Sequence, residues 1–335
     1  MKSNMAWTLA SRPLGQAEES NFRWIETALP ELSDGDVLVR TLWLSLDPTN
    51  RAWMNDVDGY LPSLKLGEVM RGIAIGRVEE SRSPAFAAGD IVQGMLGWQK
   101  YYAGSAKGLT KLPPIPLPLT AHFGLLGHIG LTAYFGVVEV GQAKAGETMV
   151  VTTAAGAVGS LAAQIGKILG LRVVGIAGGA EKCRWLTEDL GLDAAIDYKN
   201  EDVGAALDRE CPAGIDVDFE NVGGAMLDAI LARINIGARI ALCGLISQYN
   251  ASRPVPGPYQ FANLLVRRGR VQGFIVLDYL HRAGEAARQL IAWHLEGKLK
   301  YRLDIVEGLE QAPAALLKLF DGRNTGKLLV RVGEE

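Results

Sequence analysis

Metal ligands and paired cysteines are scarce in this sequence. The 335 residues include three cysteines, Cys183, Cys211 and Cys243, and four histidines. No two cysteines form a C-x-x-C pair and no two histidines form an H-x-x-x-H pair, so local spacing builds no zinc cluster. An odd number of widely spaced cysteines also provides no disulfide framework. We therefore expect neither a metal centre nor a disulfide core.

An excess of charge of one sign and long apolar runs are also missing. The formal net charge is −3, which gives no reason to expect nucleic acid or an anionic membrane as a partner. No apolar run is long and uncharged enough to span a bilayer. The first residues lack the apolar centre of a signal peptide. These absences predict a cytoplasmic protein without a nucleic-acid or membrane partner.

The distribution of strand and helix patterns along the chain predicts two domains, since 335 residues are many for one core. Short strand patterns at close intervals fill residues 1–120 and indicate a barrel-like β domain, to which the final strand pattern, Lys327–Val330, is expected to return. From about residue 121, strand and helix patterns alternate, which is typical of a doubly wound parallel sheet. Its candidate strands are Thr148–Thr152, Arg172–Ile176, Ala194–Ile196, Asp216–Glu220, Arg239–Cys243 and Val271–Ile275.

The segment from Val150 to Ser160 predicts a strand, a tight turn and a helix that can face a phosphate. Gly156 allows close approach of a backbone, and Gly159 allows the helix to pack tightly on its strand. The N–H groups of the first helical turn and the helix dipole favour a pyrophosphate. The usual G-x-G-x-x-G pattern begins here with Ala154. A purely structural turn is therefore the alternative interpretation.

The residues after the second strand of this sheet favour NADPH over NADH. An NAD-preferring fold usually has an acidic residue at the end of that strand to bind the ribose diol. Here the strand ends without a carboxylate, and Gly178 and Gly179 leave room for a 2′-phosphate. The backbone N–H groups of these glycines can also bind an anion. Lys182 lies one helical turn further on and can reach that phosphate. The alternative makes Lys182 a solvated residue and Glu181 the ribose-binding acid.

Several short segments, taken together in order and spacing, resemble one family. The chain is similar to zinc-independent medium-chain dehydrogenase/reductases, in the branch of NADPH-dependent double-bond reductases. The segments that carry the resemblance are Leu44–Pro48, Leu66–Gly72, Gly130–Tyr134, Ala154–Ser160, Phe219–Gly224, Cys243–Asn250, Gly273–Val276 and Gly322–Lys327.

The resemblance implies an α/β fold with two domains and a cleft between them. A GroES-like β-barrel domain, residues 1–122 and 301–335, would carry the substrate. A Rossmann domain, residues 123–300, would carry NADPH, and a homodimer would form through the Rossmann domains.

The same resemblance implies a set of cofactor-binding residues along the Rossmann domain. In chain order these are Thr132, Gly156, Ala157, Val158, Gly159, Gly179, Lys182, Tyr198, Asn221, Cys243, Gly244, Ile246, Ser247, Tyr249, Phe274, Ile275, Val276 and Asn324. Residues 156–158 would line the pyrophosphate, Lys182 the 2′-phosphate and Tyr198 the adenosine end. Asn221 would bond to ribose or phosphate, and residues 274–276 would support the nicotinamide. As alternatives, residues 274–276 are apolar enough for a buried strand, and residues 221–224 form a good turn.

The reaction expected from this resemblance is conjugate reduction of an α,β-unsaturated ketone or aldehyde. A hydride from NADPH goes to the β-carbon, and a proton goes to the α-carbon. Tyr60 is our candidate donor of a hydrogen bond to the forming enolate, since a tyrosine hydroxyl is neutral at pH 7. Asn50, Arg51, His128 and Tyr259 are candidate substrate contacts. An NADPH:quinone reductase and a non-catalytic NADPH-binding sensor are the competing functions.

Overall fold

The structure is a computed structural model that describes residues 3–57, 59 and 61–335. Its strands are β1 (Ser3–Leu9), β2 (Phe22–Ala28), β3 (Asp36–Ser45), β4 (Ala74–Ser81), β5 (Ile91–Gly94), β6 (Tyr101–Ser105), β7 (Thr110–Lys111), β8 (Thr148–Val151), β9 (Arg172–Ala177), β10 (Ala194–Asp197), β11 (Ile215–Glu220), β12 (Ile234–Leu242), β13 (Arg270–Gly273), β14 (Leu303–Glu307) and β15 (Lys327–Arg331).

The α-helices among the described residues are α1 (Thr49–Ala52), α2 (His128–Phe135), α3 (Ala157–Ile168), α4 (Ala180–Arg184), α5 (Val203–Glu210), α6 (Gly224–Leu231), α7 (Ala262–Arg267), α8 (Ala283–Leu295) and α9 (Ala312–Lys318). None of these helices combines the length and the apolar composition that crossing a bilayer requires. The chain divides into two compact units. The first comprises residues up to Pro118 together with Asp304–Arg323 and Leu328–Glu335, and the second comprises Leu119–Leu303 and Asn324–Lys327.

Strand β3 is the centre of the first unit. It pairs antiparallel with β4, β6 and β15 in a sheet whose order is β14-β15-β3-β4-β5-β7. Val37 and Val39 of β3 are fully buried, and burial of such a side chain contributes about 1.5–3 kcal/mol. Position 76 in β4 requires glycine, because a Cβ there would lie 2.6 Å from the carbonyl oxygen of Arg40. The alternation of buried residues and this close strand contact produce a tightly packed antiparallel sheet.

Six parallel strands form the sheet of the second unit, in the order β10-β9-β8-β11-β12-β13. All four residues of β8 are buried, as expected for an inner strand covered on both faces. The strand order reverses between β8 and β11. Loops that follow two such strands diverge and leave a crevice at the carboxyl ends of the strands. The predicted α/β fold with a Rossmann sheet is confirmed.

The predicted strands of this sheet correspond to β8 to β13 to within one residue, except at the start of β12 and the end of β13. β12 begins at Ile234 rather than at Arg239, and Gly237, with φ +77°, lies within it, so a residue typical of turns is carried inside a strand. β13 ends at Gly273 rather than at Ile275. Its successor, Phe274, packs edge-on against Phe219 with 6.2 Å between the ring centroids.

A buried amide fixes α3 against the end of the second unit. This amide belongs to Gln164, whose Nε2 donates to the carbonyl oxygens of Ser160 and Lys300, both at 2.8 Å. Its Oε1 accepts from the Lys300 N–H at 2.8 Å. Gln164 is 2% exposed, so its polar atoms depend on these partners. The helix that begins at the glycine-rich turn is thereby tied near its middle to the backbone of Lys300.

Candidate functional site

The glycine-rich turn between β8 and α3 presents a row of backbone donors. Gly156 has extended backbone angles, and α3 begins directly after it. The first hydrogen bond that returns to the turn runs from the Ser160 N–H to the Gly156 carbonyl, at 3.0 Å. The N–H groups of Ala157, Val158 and Gly159 therefore have no carbonyl of their own helix as partner. Together with the helix dipole they form a site suited to a phosphate group.

Gly159 allows the helix to approach the turn that precedes it. A Cβ at this position would lie 2.3 Å from the carbonyl oxygen of Thr153, whereas a Cβ at Gly156 would lie 3.1 Å from the same atom. Thr153 itself has φ +52° and an exposed side chain. The sequence did not single out Thr153, since nothing in its residue type signals a left-handed backbone. The turn is thus closed so tightly that only glycine fits at its helical end.

The segment Asn324–Lys327 runs beside this turn within the second unit. The Gly326 N–H donates to the Ala155 carbonyl at 3.0 Å, and Gly326 forms a parallel bridge with Gly156. Nδ2 of Asn324 donates to the Gly326 carbonyl at 3.4 Å. The structure therefore brings the predicted cofactor residue Asn324 to the glycine-rich turn.

A buried carboxyl group organises the loop that follows β11. Glu220 is 0% exposed, and its Oε1 accepts from the N–H groups of Val222 and Gly223, the latter at 2.7 Å. Oγ1 of Thr152 lies 3.2 Å from the same oxygen. Asn221 donates from its backbone to Thr152 Oγ1 at 2.7 Å and from Nδ2 to the Thr152 carbonyl at 2.8 Å. These bonds tie the loops after β8 and β11 together at the crevice.

Neither Thr152 nor Glu220 was predicted as a site residue. A threonine at the end of a buried strand is ordinary for a β-branched residue, and Glu220 gave no sign of burial in the sequence. The structure also fixes the predicted Asn221, because its amide nitrogen bonds to the Thr152 carbonyl. Its Oδ1 can then accept from a ribose hydroxyl.

The loop after β12 joins the same edge of the sheet. The N–H groups of Cys243 and Gly244 donate to the Glu220 carbonyl at 2.9 and 3.1 Å, and the Ile246 N–H donates to the Asn221 carbonyl at 3.0 Å. Further contacts come from the predicted residues Ser247, whose Oγ donates to the Val222 carbonyl, and Tyr249, whose hydroxyl accepts from the Leu245 N–H. Cys243, Gly244, Ile246 and Ser247 therefore contact the end of β11 and the loop after it, and Tyr249 packs within its own loop.

The loop after β9 is held by a carboxylate from the neighbouring strand. Oδ1 of Asp197 accepts from the Gly179 N–H at 2.7 Å and from the Lys199 N–H at 3.1 Å, and Oδ2 accepts from Nδ2 of Asn200 at 2.7 Å. Burial raises the pKa of Asp197, but the hydrogen bonds from Gly179, Asn200 and Lys199 bring that pKa below its ordinary value. The carboxylate is thus ionised and engaged by the loop.

Open space at the predicted 2′-phosphate position lies at Gly179 and not at Gly178. A Cβ at Gly178 would lie 2.9 Å from the ring of Tyr198 and 3.0 Å from Cε of Lys199, whereas a Cβ at Gly179 would meet nothing within 4 Å. The small size of Gly178 therefore accommodates the Tyr198 ring. Lys182 is half-buried in α4, the short helix that follows.

The residues predicted near the nicotinamide lie in two places within the second unit. Oγ1 of Thr132 donates to the His128 carbonyl at 2.6 Å in the first turns of α2. Phe274 contacts Phe219 and Tyr279. Ile275 is 36% exposed, and Val276, which follows it, starts a 3₁₀ turn that ends at Arg282. The half-buried Phe274 ring thus packs against two neighbouring rings, and the contact of residues 274–276 with the nicotinamide stays a prediction.

The predicted substrate and catalytic residues differ in their surroundings. Tyr60 lies outside the described residues. Asn50 and Arg51 are each 1% exposed. Asn50 accepts from the Asp47 N–H at 2.7 Å and donates to the Arg71 carbonyl at 2.9 Å.

Arg51 makes comparable internal bonds. Its guanidinium donates to Oδ1 of Asn55 at 2.7 Å and to the Gly15 carbonyl at 2.6 Å, and burial lowers its pKa. These contacts make Asn50 and Arg51 supports of the β unit, and their substrate contact stays a prediction. His128 is half-buried at the start of α2, and Tyr259 is 82% exposed. Their contacts with substrate also stay predictions.

The cysteines of this chain are thiols at neutral pH. Burial raises the pKa of Cys183 and Cys211 to about 11 and that of Cys243 to about 12. A nucleophilic cysteine requires a lowered pKa. No group of three or more His, Cys, Asp or Glu side chains in the described part of the chain is placed to hold a metal ion. The described site is therefore built from backbone donors, amides, hydroxyls and buried carboxyl groups.

An antiparallel β unit, and a Rossmann unit with a glycine-rich turn at its switch point, define the class of medium-chain dehydrogenase/reductases. Two family models match the chain: N-terminal domain of oxidoreductase over residues 5–112, and zinc-binding dehydrogenase over residues 157–293. The chain belongs to the medium-chain dehydrogenase/reductase family, in its branch of NADPH-dependent double-bond reductases. It is an NADP-dependent oxidoreductase, and the resemblance inferred from its motifs is confirmed.

Relatives match almost the whole chain. The NADPH-dependent curcumin reductase of Escherichia coli is 46% identical, over 98% of this chain and 97% of that protein. The 2-alkenal reductase (NADP(+)-dependent) of Nicotiana tabacum is 42% identical, over 99% and 98%. The crystal structure of CurA from Vibrio vulnificus in complex with NADPH is 43% identical and covers 99% of this chain and 100% of that one, with a TM-score of 0.94.

Substitution of Gly159 tests the tight turn directly. We expect Gly159→Ala to lower the free energy of unfolding by about 1–3 kcal/mol, because the added Cβ meets a backbone oxygen that cannot rotate away. Urea denaturation measures this change. Gly257→Ala is the matched control, since a Cβ at position 257 meets nothing within 4 Å. Equal stability of the Gly159→Ala variant and the unsubstituted protein would contradict the packing argument.

Proposed function

We propose that this protein reduces the carbon–carbon double bond of α,β-unsaturated ketones or aldehydes with NADPH. The observation that carries the proposal is the row of donors at the start of α3, which faces the crevice at the switch point of the sheet. The similarity to a curcumin reductase and a 2-alkenal reductase over nearly full length supports the substrate class. Family membership supports the cofactor.

The residues of the second unit fit a dinucleotide phosphate cofactor. The Ala157, Val158 and Gly159 N–H groups would bind the pyrophosphate, since their own helix leaves them without a carbonyl partner. The open space beside Gly179, with Lys182 in the following helix, would take the 2′-phosphate. Asp197 is engaged by loop donors, so it does not compete for the ribose diol as an acid would in an NAD-preferring site.

The protein's own contribution to the reaction is to bind, orient and protect the reactants. When bound, NADPH supplies the hydride for the β-carbon of the substrate. Asn221 would hold a ribose through Oδ1, because Thr152 fixes its amide. A hydrogen bond to the substrate carbonyl oxygen would stabilise the enolate as it forms. Tyr60 stays the predicted donor of that bond.

A panel of substrates tests the proposed reaction. Absorbance of NADPH is followed with a short aliphatic enone, an aromatic enone, a quinone and a saturated ketone, and NADH is measured in parallel. We expect both enones to consume NADPH, the saturated ketone to consume none, and NADH to be the poorer donor. Turnover of the quinone alone would make the protein a quinone reductase. Tight NADPH binding without turnover of any compound would identify a sensor.

Replacement of Lys182 tests the choice between NADPH and NADH. We expect Lys182→Ala to raise the KM for NADPH about ten- to hundredfold, as loss of one hydrogen bond between charged groups would, and to leave the KM for NADH almost unchanged. Glu181→Ala, one residue earlier in α4, is the matched control. A rise in the KM for NADH in the Glu181 variant, with no change in Lys182→Ala, would favour the alternative in which Glu181 binds the ribose.

The exposed end of the Rossmann sheet supports the proposal of a homodimer. β13 is the last strand of the sheet order and pairs with β12 alone among the described strands. Val271 of β13 is 37% exposed, and Leu265 and Val266 of the neighbouring α7 are 82% and 63% exposed. An open strand edge with apolar neighbours is a template for pairing with a second copy.

Light scattering tests this dimer. We expect a particle of about twice the 36.0 kDa chain mass, and we expect Val271→Lys combined with Leu265→Lys to yield monomers, since a lysine charge blocks pairing at a strand edge. Leu14→Lys is the matched control, because Leu14 is 97% exposed in the other unit. A monomeric unsubstituted protein, or a dimeric double variant, would contradict the proposed interface.

A further inference from the structure

Two carboxyl groups lie buried side by side on β11. Asp218 is 1% exposed and Glu220 is 0% exposed. Alternate residues of a strand face the same side of the sheet, so both side chains project to one face. Burial of an ionised carboxylate is unfavourable unless it is paired and hydrogen-bonded. Glu220 has a visible role in the loop after β11, whereas the mechanism described above does not use Asp218.

The surroundings of Asp218 are apolar. In the sheet register it stands opposite Val150 of β8 and Ile240 of β12. Both neighbours belong to one buried cluster, which also contains Leu227 and Ile230 of α6. No basic side chain in the described part of the chain forms a hydrogen bond or an ion pair with Asp218. An ionised Asp218 would therefore have no neutralising partner among the described residues.

Few titratable groups among the described residues lie near this pair. Asp218 and Glu220 act on each other, and the Cys243 thiol after β12 is affected by the charge of Glu220. Asp216 lies on the same face of β11, where it accepts from the Thr148 N–H and from Nδ2 of Asn235. The immediate neighbours of Asp218 from β8 and β12, and the buried residues of α6 in the same cluster, are apolar. The charge state of the pair is therefore set within the pair and by the backbone donors to Glu220.

The hydrogen bonds of the pair are unevenly distributed. Oε1 of Glu220 receives Val222, Gly223 and Thr152 as donors. In the described structure Oε2 of Glu220 and both side-chain oxygens of Asp218 have no donor. Two ionised carboxylates only accept and cannot satisfy one another. One proton on Asp218 would make it a donor to Glu220, which would give a partner to Oε2 of Glu220 and to one of the two Asp218 oxygens.

The proton belongs on Asp218 for two reasons. Burial and the nearby charge of Glu220 raise the pKa of Asp218 well above its ordinary value, and a hydrogen bond from a protonated Asp218 to Glu220 would act in the same direction. Burial raises the pKa of Glu220 as well, but the hydrogen bonds from Gly223, Val222 and Thr152 stabilise its ionised form. The backbone donors thus select Glu220 as the acceptor of the pair.

We propose that Asp218 is a positioning residue of the cofactor site: its protonated carboxyl group donates to Oε2 of Glu220 and holds Glu220 in the orientation that orders Thr152, Asn221 and the Val222–Gly223 backbone. This inference rests on the proposed function, because the ordered loops serve catalysis only when NADPH binds there. Asp218 acts through Glu220 and makes no contact with substrate.

Two substitutions at position 218 separate the hydrogen bond from the packing. Asp218→Asn retains an N–H donor for Glu220, whereas Asp218→Leu removes the donor and fills the apolar space. We expect Asp218→Leu to raise the Kd for NADPH about tenfold, the scale of one hydrogen bond to a charged group. We expect Asp218→Asn to stay within about threefold of the unsubstituted protein. Fluorescence titration with NADPH measures each Kd.

Asp216→Asn is the matched control for this titration. Asp216 lies on the same strand, near the end remote from the loops, where it accepts from the Thr148 N–H and from Nδ2 of Asn235. We expect its Kd to match that of the unsubstituted protein. Equal Kd values for Asp218→Leu and the unsubstituted protein would overturn the positioning role.

The pH dependence of thermal unfolding tests the proton without any cofactor. The folded state retains the Asp218 proton above pH 4, whereas the unfolded chain releases it there, so this group lowers stability progressively as pH rises toward the folded-state value. Asp218→Asn lacks this contribution. We expect its Tm, relative to the unsubstituted protein, to rise by about 2 °C per pH unit from pH 5 upward, for as long as the folded state retains the Asp218 proton. A Tm difference that is constant over this range would overturn the assignment of the proton.

The outcomes separate this inference from the proposed function. If the unsubstituted protein does not bind NADPH, the proposed function fails and the positioning role fails with it, while the thermal comparison still reports the proton. If NADPH binds to the unsubstituted protein, and the Asp218→Leu and Asp218→Asn variants bind it as tightly as that protein does, only the positioning role fails. Should Asp218→Leu not fold, the Tm comparison with Asp218→Asn still decides whether Asp218 is protonated.

Discussion

The close approach of helix α3 to the turn that precedes it is the constraint on which the described site depends. At Gly159 the helix lies so near the Thr153 carbonyl that a single methyl group would overlap it. This contact places the first N–H groups of α3 at the carboxyl end of β8, where the strand order reverses. The same turn bridges to Gly326, which brings Asn324 alongside. With a looser turn, the first N–H groups of α3 would no longer converge on one phosphate position.

A second constraint is electrostatic and lies one strand away. Glu220 is buried, yet it receives backbone donors from its own loop and a hydroxyl from Thr152. Burial of a carboxylate costs free energy that hydrogen bonds must offset. Here those bonds join the loops after β8 and β11, and the loop after β12 attaches to the Glu220 carbonyl. We infer that Asp218 belongs to the same network, because its carboxyl group, buried on the same face of β11, would supply a proton to the remaining carboxylate oxygen.

Prediction from the sequence succeeded where a pattern reports a local requirement. The strands β8 to β11 follow their β-branched runs closely, because buried parallel strands need continuous apolar residues. The glycine-rich turn was predicted correctly because glycine is required at position 159, where a Cβ would overlap the Thr153 carbonyl oxygen. Prediction was less complete at Gly178, whose small size accommodates the ring of Tyr198 rather than a ligand. It was also less complete at Asn50, a buried amide that holds backbone groups.

The sequence by itself determined the fold class, the family and the order of the cofactor-binding segments, because each follows from residues close together in the chain or from motifs in a fixed order. Only the tertiary structure decided which side chains share a buried space. Thr152 follows β8, whereas Glu220 and Asn221 lie at the end of β11, and the bonds between them depend on how β8 and β11 pair. Alternation along β11 puts Asp218 and Glu220 on one face, but only the packing of neighbouring strands and of α6 buries that face. Burial of these side chains, and contacts between residues far apart in the chain, result from tertiary packing, so no local sequence pattern encodes them.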